Sequence, residues 1–250
     1  MKVLSLGWGT QSFTLAAMVA LGELEMVDYA IHSDTTHESK LTYDFAKRWT
    51  GWLKERGVNV VTVTPDPNRV NPIDNGYGWP DPPFFADGGG MIKRQCTTQW
   101  KIIPMKKFVR KNANRGKVEQ WIGISLDEFY RMKPSRVKYI KNVYPLVDKK
   151  MTRHDCKSWL NKNGLEIPPR SACIFCPFHS RAEWRETKKI NVDWEKAVEI
   201  DKSIRKARPP LDLFVCNQYK PLDECDFDSV EDKGQMTFQW QDECTGYCGN

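Results

Sequence analysis

Two pairs of cysteines carry the first chemical signal in the sequence. Cys173 and Cys176 form a C-x2-C within Ser171-Ala172-Cys173-Ile174-Phe175-Cys176-Pro177, and Cys244 and Cys248 form a C-x3-C. Thiolates at such spacing can grip one metal ion or one edge of an iron–sulfur cluster. Two pairs together supply the four sulfurs of a tetrahedral site or a cubane. Cys96, Cys156, Cys216 and Cys225 complete the 8 cysteines. A plainer reading leaves the pairs as unliganded thiols, and His179 as a helix-start residue rather than a nitrogen ligand.

A second signal is Gly7-Trp8-Gly9-Thr10-Gln11-Ser12, directly after the short apolar run Lys2 to Leu6. Glycines let the backbone approach a ligand, and the amides that open a helix attract anions. This loop could therefore cradle a phosphate, with Ser5, Gly7, Gly9, Thr10, Gln11 and Ser12 as its lining. A tight turn with Ser12 as a helix cap explains the same residues. Asp34 and Thr35, in Ser33-Asp34-Thr35-Thr36-His37-Glu38, could grip a ribose or an adenine, or belong to a capping box. Arg94 and Lys101 flank a basic helix, and Gly123-Ile124-Ser125-Leu126-Asp127-Glu128 leads to Arg131. Arg94, Lys101 and Arg131 sit at loop ends, where converging cations suit a phosphate or sulfate. Gly123, Asp127 and Glu128 join the same expected crevice.

The elements that must position these residues follow from periodicity. Lys2 to Leu6, Val27 to His32, Val58 to Val63 and Val118 to Ile124 read as strands. Phe13 to Leu24, Glu38 to Arg56 and Lys101 to Asn112 read as helices. The alternation predicts an α/β domain with a doubly wound parallel sheet and helices on both faces. Ligands then gather beyond the carboxyl ends of the strands. Pro65 to Gly90 has no periodicity and reads as a long functional loop. Thr152 to Asn163, Arg181 to Lys188 and Val192 to Ala207 look helical. This divides the chain into a nucleotide-binding domain over 1–150 and a mostly helical, cysteine-bearing segment over 151–250.

Composition narrows the class. With 38 Lys and Arg against 32 Asp and Glu, the net charge is +6, enough for phosphate-bearing ligands but short of a protein that coats nucleic acid. Mean hydropathy is −0.60, and no apolar run approaches the length of a membrane span. The apolar start is too short for a signal peptide. A cytoplasmic, reducing location is expected, in which clustered cysteines bind metal or do chemistry rather than form disulfides.

These residues together resemble the phosphoadenosine phosphosulfate reductase-like branch of the PP-loop superfamily, with its adenine nucleotide α-hydrolase-like fold. The likeness is greatest to stand-alone members found in bacteria and phages, and it covers most of the chain. Gly7 to Ser12 occupies the place of the family's Ser-Gly-Gly-x-Asp-Ser loop. Asp34-Thr35 resembles the Asp-Thr after strand two. Cys96, Lys101 and Pro104 resemble the cysteine, basic residue and proline that open a helix. Gly123-Ile124 with Asp127, Glu128 and Arg131 resembles a Gly-Ile-Arg stretch. Cys173 and Cys176 resemble the C-x2-C of cluster-bearing adenylyl-sulfate reductases, and Glu243-Cys244 with Cys248-Gly249 resembles their Glu-Cys-Gly tail. There are departures. Gln11 stands where the family has Asp, the residue that PP-loop pyrophosphatases set beside pyrophosphate and magnesium. Trp8 stands where it has Gly, and the paired cysteines of the reductases are Cys96-Thr97 here.

The resemblance implies an adenine nucleotide, either ATP or phosphoadenosine phosphosulfate, and a thiol electron donor. It implies one of two thiol assignments. In the first, Cys96, Cys173, Cys176 and Cys244 hold a [4Fe-4S] cluster and Cys248 is the reactive thiol, with Lys101 and Arg131 on the departing phosphate. In the second, Cys173, Cys176, Cys244 and Cys248 close a zinc or cluster site. The expected function is a redox or sulfur-transfer enzyme acting on an activated sulfate. The alternatives are a nucleic-acid base thiolation enzyme working through adenylylation, and a non-catalytic zinc-bearing module that binds nucleic acid.

Overall fold

The computed structural model describes residues 1–228, apart from 69, 75 and 115. In chain order its strands are β1 (Lys2–Ser5), β2 (Tyr29–Ser33), β3 (Val60–Val63), β4 (Phe85–Ala86), β5 (Val118–Trp121), β6 (Ile140–Val143) and β7 (Leu213–Phe214). The helices are α1 (Thr10–Ala20), α2 (Lys40–Glu55), α3 (Ile103–Asn112), α4 (Pro145–Asp148), α5 (Arg153–Lys162), α6 (Arg181–Lys188) and α7 (Asn191–Ile204). A π-helical turn over Thr97–Ile102 runs into α3.

Residue alternation sets the layers. Leu4 and Ala30 join one apolar cluster, while their neighbours Val3 and Ile31 join another. That period of two is what strands buried on both faces require. On the first face Phe13, Ala16 and Val19 of α1, Phe45 and Leu53 of α2, and Cys156 and Leu160 of α5 cover the sheet. On the other, Met105 and Val109 of α3 pack against Val3, Ile31, Val118 and Ile140. The parallel sheet runs β3-β2-β1-β5-β6, as a doubly wound α/β fold demands. Chain direction across it reverses between β1 and β5.

A second apolar core gathers Phe84, Ile92, Trp100, Phe175, Trp184, Ala197, Ile204, Leu213 and Val215. The β4–β7 ladder pairs Phe85 with Phe214 in antiparallel register. The segment before α3 thus packs with the cysteine-bearing segment, while α5 packs on α1. Local signals explain the helix starts: Thr152 with Asp155, and Ser180 with Glu183, form capping boxes that open α5 and α6. Two elements differ from the sequence reading. The fifth sheet strand, β6, lacks a run of apolar residues because it lies at the edge, and α4 is a single turn. No helix of the described residues is long and apolar enough to cross a membrane.

Candidate functional site

A cavity opens at the carboxyl ends of β1 and β5, where the chain direction reverses. Ser5, Gly7, Gly9, Gln11 and Ser12 line one wall, and Ile122, Gly123 and Ile124 line the facing one. His32, Ser33, Glu38, Lys101 and Ser171 close the flank.

The glycine loop is shaped by three local constraints. Trp8 adopts φ +58°, a left-handed backbone that favours glycine. Its indole is 1% exposed and packs on Phe13, His32 and Phe45, which holds the loop in that conformation. Gly9 caps α1 with no side-chain hydrogen bond, so the first amides of the helix keep their capacity for a ligand. Ser12 Oγ accepts from the Gly7 N–H and donates to the Gly9 carbonyl, each at 3.2 Å, which folds the loop back on the helix start.

Gly123 fixes the opposite wall. A Cβ there would lie 2.8 Å from Ser12 N and 3.0 Å from Ser12 Cα, both backbone atoms. Only glycine lets the β5 loop press this closely on the start of α1. Gln11 is 1% exposed and its Nε2 donates to Ser125 Oγ at 3.3 Å, while its Oε1 is buried without a hydrogen-bond partner. A buried carbonyl left in that state costs about 1–3 kcal/mol, so the oxygen is primed for a donor.

The cation of the site is Lys101. Its Nζ lies 3.3 Å from Glu38 Oε1, and Ser171 donates to Glu38 Oε2 at 3.1 Å. The Glu38 side chain is 1% exposed. His32 Nδ1 donates to the Leu6 carbonyl at 3.1 Å, and burial holds its pKa below the ordinary imidazole value despite Glu38 nearby. The neutral ring therefore keeps Nε2 as an acceptor. Sequence reasoning assigned Glu38 only a capping role. Its partners Lys101 and Ser171 are distant in the chain, so nothing local announces the cluster.

Other expected site residues stand outside the cavity lining. Asp34 accepts from the Thr36 N–H at 2.8 Å and from Tyr43 Oη at 2.7 Å, which fixes the turn into α2. Thr35 is fully buried, with Oγ1 3.5 Å from Cys173 Sγ. Thr10 is buried at the start of α1. Arg94 stacks its guanidinium over the Phe178 ring at 5.3 Å. Asp127 accepts from the Arg153 N–H at 3.0 Å, opening α5. Glu128 pairs with Arg131 at 3.0 Å; burial raises its pKa, against the pull of Arg131 and Arg153.

Cys173 and Cys176 sit on a tight turn, closed by the Cys176 N–H donating to the Cys173 carbonyl at 2.9 Å. Cys173 also forms an isolated bridge with Glu38, which sets the turn beside the cavity flank. Burial, and then Glu38, push the Cys173 thiol well above the ordinary range. Cys96 opens the π-helical turn, its N–H donating to the Asp81 carbonyl at 3.0 Å. Among the described residues no three His, Cys, Asp or Glu side chains come together as a metal-binding group. Both expected ligand sets draw on Cys244 or Cys248, which lie outside the described residues. The described thiols supply at most a C-x2-C half-site, so no chemical step below runs through a metal or cluster. His179 matches the plainer expectation: it precedes the Ser180 cap, stacks on Trp184 at 4.6 Å, and is held neutral by burial at a pKa of about 3.

Fold and cavity together define a doubly wound α/β protein with an uncapped helix start at its switch point. No protein-family model matches the chain. A similar curated protein is the uncharacterized nin region protein ORF290 of Escherichia phage lambda, 26% identical over 166 residues. The match takes in 58% of this chain and 54% of that protein, so the chain spans about half the length of the relative it matches. A solved structure with some likeness is the U34-tRNA thiolase NcsA from Methanococcus maripaludis with its [4Fe-4S] cluster. It aligns at a TM-score of 0.46 and 14% identity, over 82% of this chain and 70% of that one.

Proposed function

We propose that the chain binds an adenine nucleotide in the switch-point cavity and acts as a redox or sulfur-transfer enzyme of the phosphoadenosine phosphosulfate reductase-like type. The observation that carries this reading is the convergence on one cavity of an uncapped α1 start, a glycine-walled β5 loop and Lys101. A phosphate seated at the amides of Thr10 to Ser12 gains from the helix dipole and from Ser12. Lys101 carries the second positive charge, and Glu38 and Ser171 hold its ammonium in place. Gln11 Oε1 accepts from a ligand hydroxyl or amine. Asp34 and Arg131, expected at the adenosine and the terminal anion, act through the turns they fix rather than by contact.

The reaction type comes from the resemblance. A thiolate attacks the sulfur of the activated sulfate, the sulfur–oxygen bond to the nucleotide breaks, and the nucleotide phosphate leaves with the bonding pair. The α1 amides and Lys101 stabilise the charge that grows on that phosphate. Cys248 is the proposed thiol. Cys173, held protonated by burial beside Glu38, is a poorer nucleophile in the resting protein.

Calorimetric titration with phosphoadenosine phosphosulfate and with ATP tests the reading. Binding of either nucleotide, weakened at least tenfold in Ser12→Ala and Lys101→Met, is the expected result. Sulfite release then supports the reductase, and pyrophosphate release from ATP supports base thiolation instead. Absence of binding, or equal affinity in both variants, overturns the nucleotide site itself.

A further inference from the structure

A second thiol pair lies in the other core, away from the nucleotide cavity and from the C-x2-C turn. Cys216 and Cys225 are 3% and 8% exposed and belong to the apolar cluster that holds Leu213, Val215, Leu222 and Phe227. Their sulfurs lie within hydrogen-bond reach of each other. Polar cross-links, not the thiols, bring them together. The Asp201 carboxylate is fully buried and accepts from the Val215 N–H at 2.9 Å and the Leu222 N–H at 3.0 Å, with Arg205 at 2.6 Å. Gln218 bonds Asp226 twice, donating to its carbonyl at 2.6 Å and accepting from its N–H at 3.1 Å. Between them the chain turns tightly: the Tyr219 N–H donates to the Cys216 carbonyl at 3.2 Å, and Tyr219 takes φ +53°.

The two sulfurs are chemically unequal. Cys225 donates its hydrogen bond to Cys216, which draws the Cys216 pKa below the ordinary thiol value and raises that of Cys225. The Gln218 N–H and the Arg181 charge add to the stabilisation of a Cys216 thiolate. The covering turn is thin, since Asn217, Tyr219 and Lys220 are exposed. One nucleophilic sulfur, one adjacent resolving sulfur and a short path to solvent are the parts of a redox-active dithiol.

We propose that Cys216 and Cys225 form a redox site that is oxidised reversibly by low-molecular-weight disulfides. The Cys216 thiolate attacks one sulfur of the small disulfide, whose S–S bond breaks to release a first thiolate. Cys225 then loses its proton, and its sulfur attacks Cys216 in the mixed disulfide. The Cys216–Cys225 bond forms and a second small thiolate leaves. Two protein thiols are oxidised, one small disulfide is reduced to two thiols, and those thiols take up the two protons. The site stands independently of the nucleotide reading.

The test equilibrates the full chain with oxidised and reduced glutathione, blocks remaining thiols by alkylation, and maps peptides by mass spectrometry. A Cys216–Cys225 linkage is expected. Cys156, fully buried with its pKa raised to about 12, serves as the unreactive reference. Cys216 is expected to alkylate at least tenfold faster than Cys156 in the reduced protein. In Cys225→Ser the resolving step is lost, so glutathione is expected to accumulate on Cys216. Recovery of both cysteines as alkylated thiols, linkage of either to another cysteine, or no adduct on Cys216 in Cys225→Ser would each overturn the proposal.

Discussion

Replacing Gly123 with alanine tests the idea that the β5 loop and the start of α1 form one rigid wall. The added Cβ would meet Ser12 N at 2.8 Å, Ser12 Cα at 3.0 Å and the Gln11 carbonyl carbon at 3.1 Å. All three atoms are backbone, so no side chain can swing aside and the loop or the helix must shift. Overpacking of this kind costs roughly 1–3 kcal/mol. For a chain of this size that lowers Tm by about 2–12 °C. The shift also displaces the amides of Thr10 to Ser12, whose favourable field for an anion is worth roughly 0.5–2 kcal/mol, so nucleotide affinity should fall about two- to thirtyfold. Gly51→Ala is the control. Gly51 lies within α2, and a Cβ there meets nothing within 4 Å. Alanine at that helical position should stabilise by about 0.5–1 kcal/mol and leave affinity alone. Urea titrations give the stability and calorimetry gives the affinity. A Gly123→Ala protein matching the wild type in both measurements refutes the wall.

Further outcomes follow from other contacts. Lys101→Met leaves the buried Glu38 carboxylate without its cation and should cost about 3–5 kcal/mol in urea unfolding, and the Lys101→Met/Glu38→Gln double variant should recover much of that loss. His32, His37 and His179 are all held below the ordinary imidazole pKa of 6.5, chiefly by burial. The unfolded chain binds protons that these rings refuse, so stability is complete above about pH 6.5 and falls as pH drops toward each folded value. For His179 the decline runs from 6.5 to about 3, at roughly 1.4 kcal/mol per pH unit, and His179→Gln should flatten this acid limb in urea midpoints measured against pH. Asp201→Asn removes a fully buried carboxylate from Arg205 and weakens two backbone ties, which should cost about 3–5 kcal/mol and appear as a lower Tm.

The sheet and its main helices were legible because their signals are local. β1, β2, β3 and β5 carry β-branched or apolar runs, and the helices carry caps such as Thr152 and Ser180. The edge strand β6, Ile-Lys-Asn-Val, exposes Lys141 and carries no such run. The β4–β7 pair joins Phe85 to Phe214, a contact no window of sequence contains. The site divides the same way. The glycine loop could be read because backbone chemistry is written in consecutive residues. The Glu38–Lys101–Ser171 cluster could not, since three separate segments build it. Asp34 looked like a ligand group, yet Asp-Thr-Thr is also the pattern of a side chain that turns back on its own backbone two residues on.

The contact between Gly123 and Ser12 has a mechanical consequence. It locks the two sheet-borne walls of the cavity against each other, with no side chain between them to act as a hinge. The flank built by Glu38, Lys101 and Ser171 is different, being held by ionic and hydroxyl contacts that a ligand's own charges can exchange for new ones. Traffic into and out of the cavity therefore belongs to that flank, and the glycine walls serve as the anvil against which a ligand is pressed.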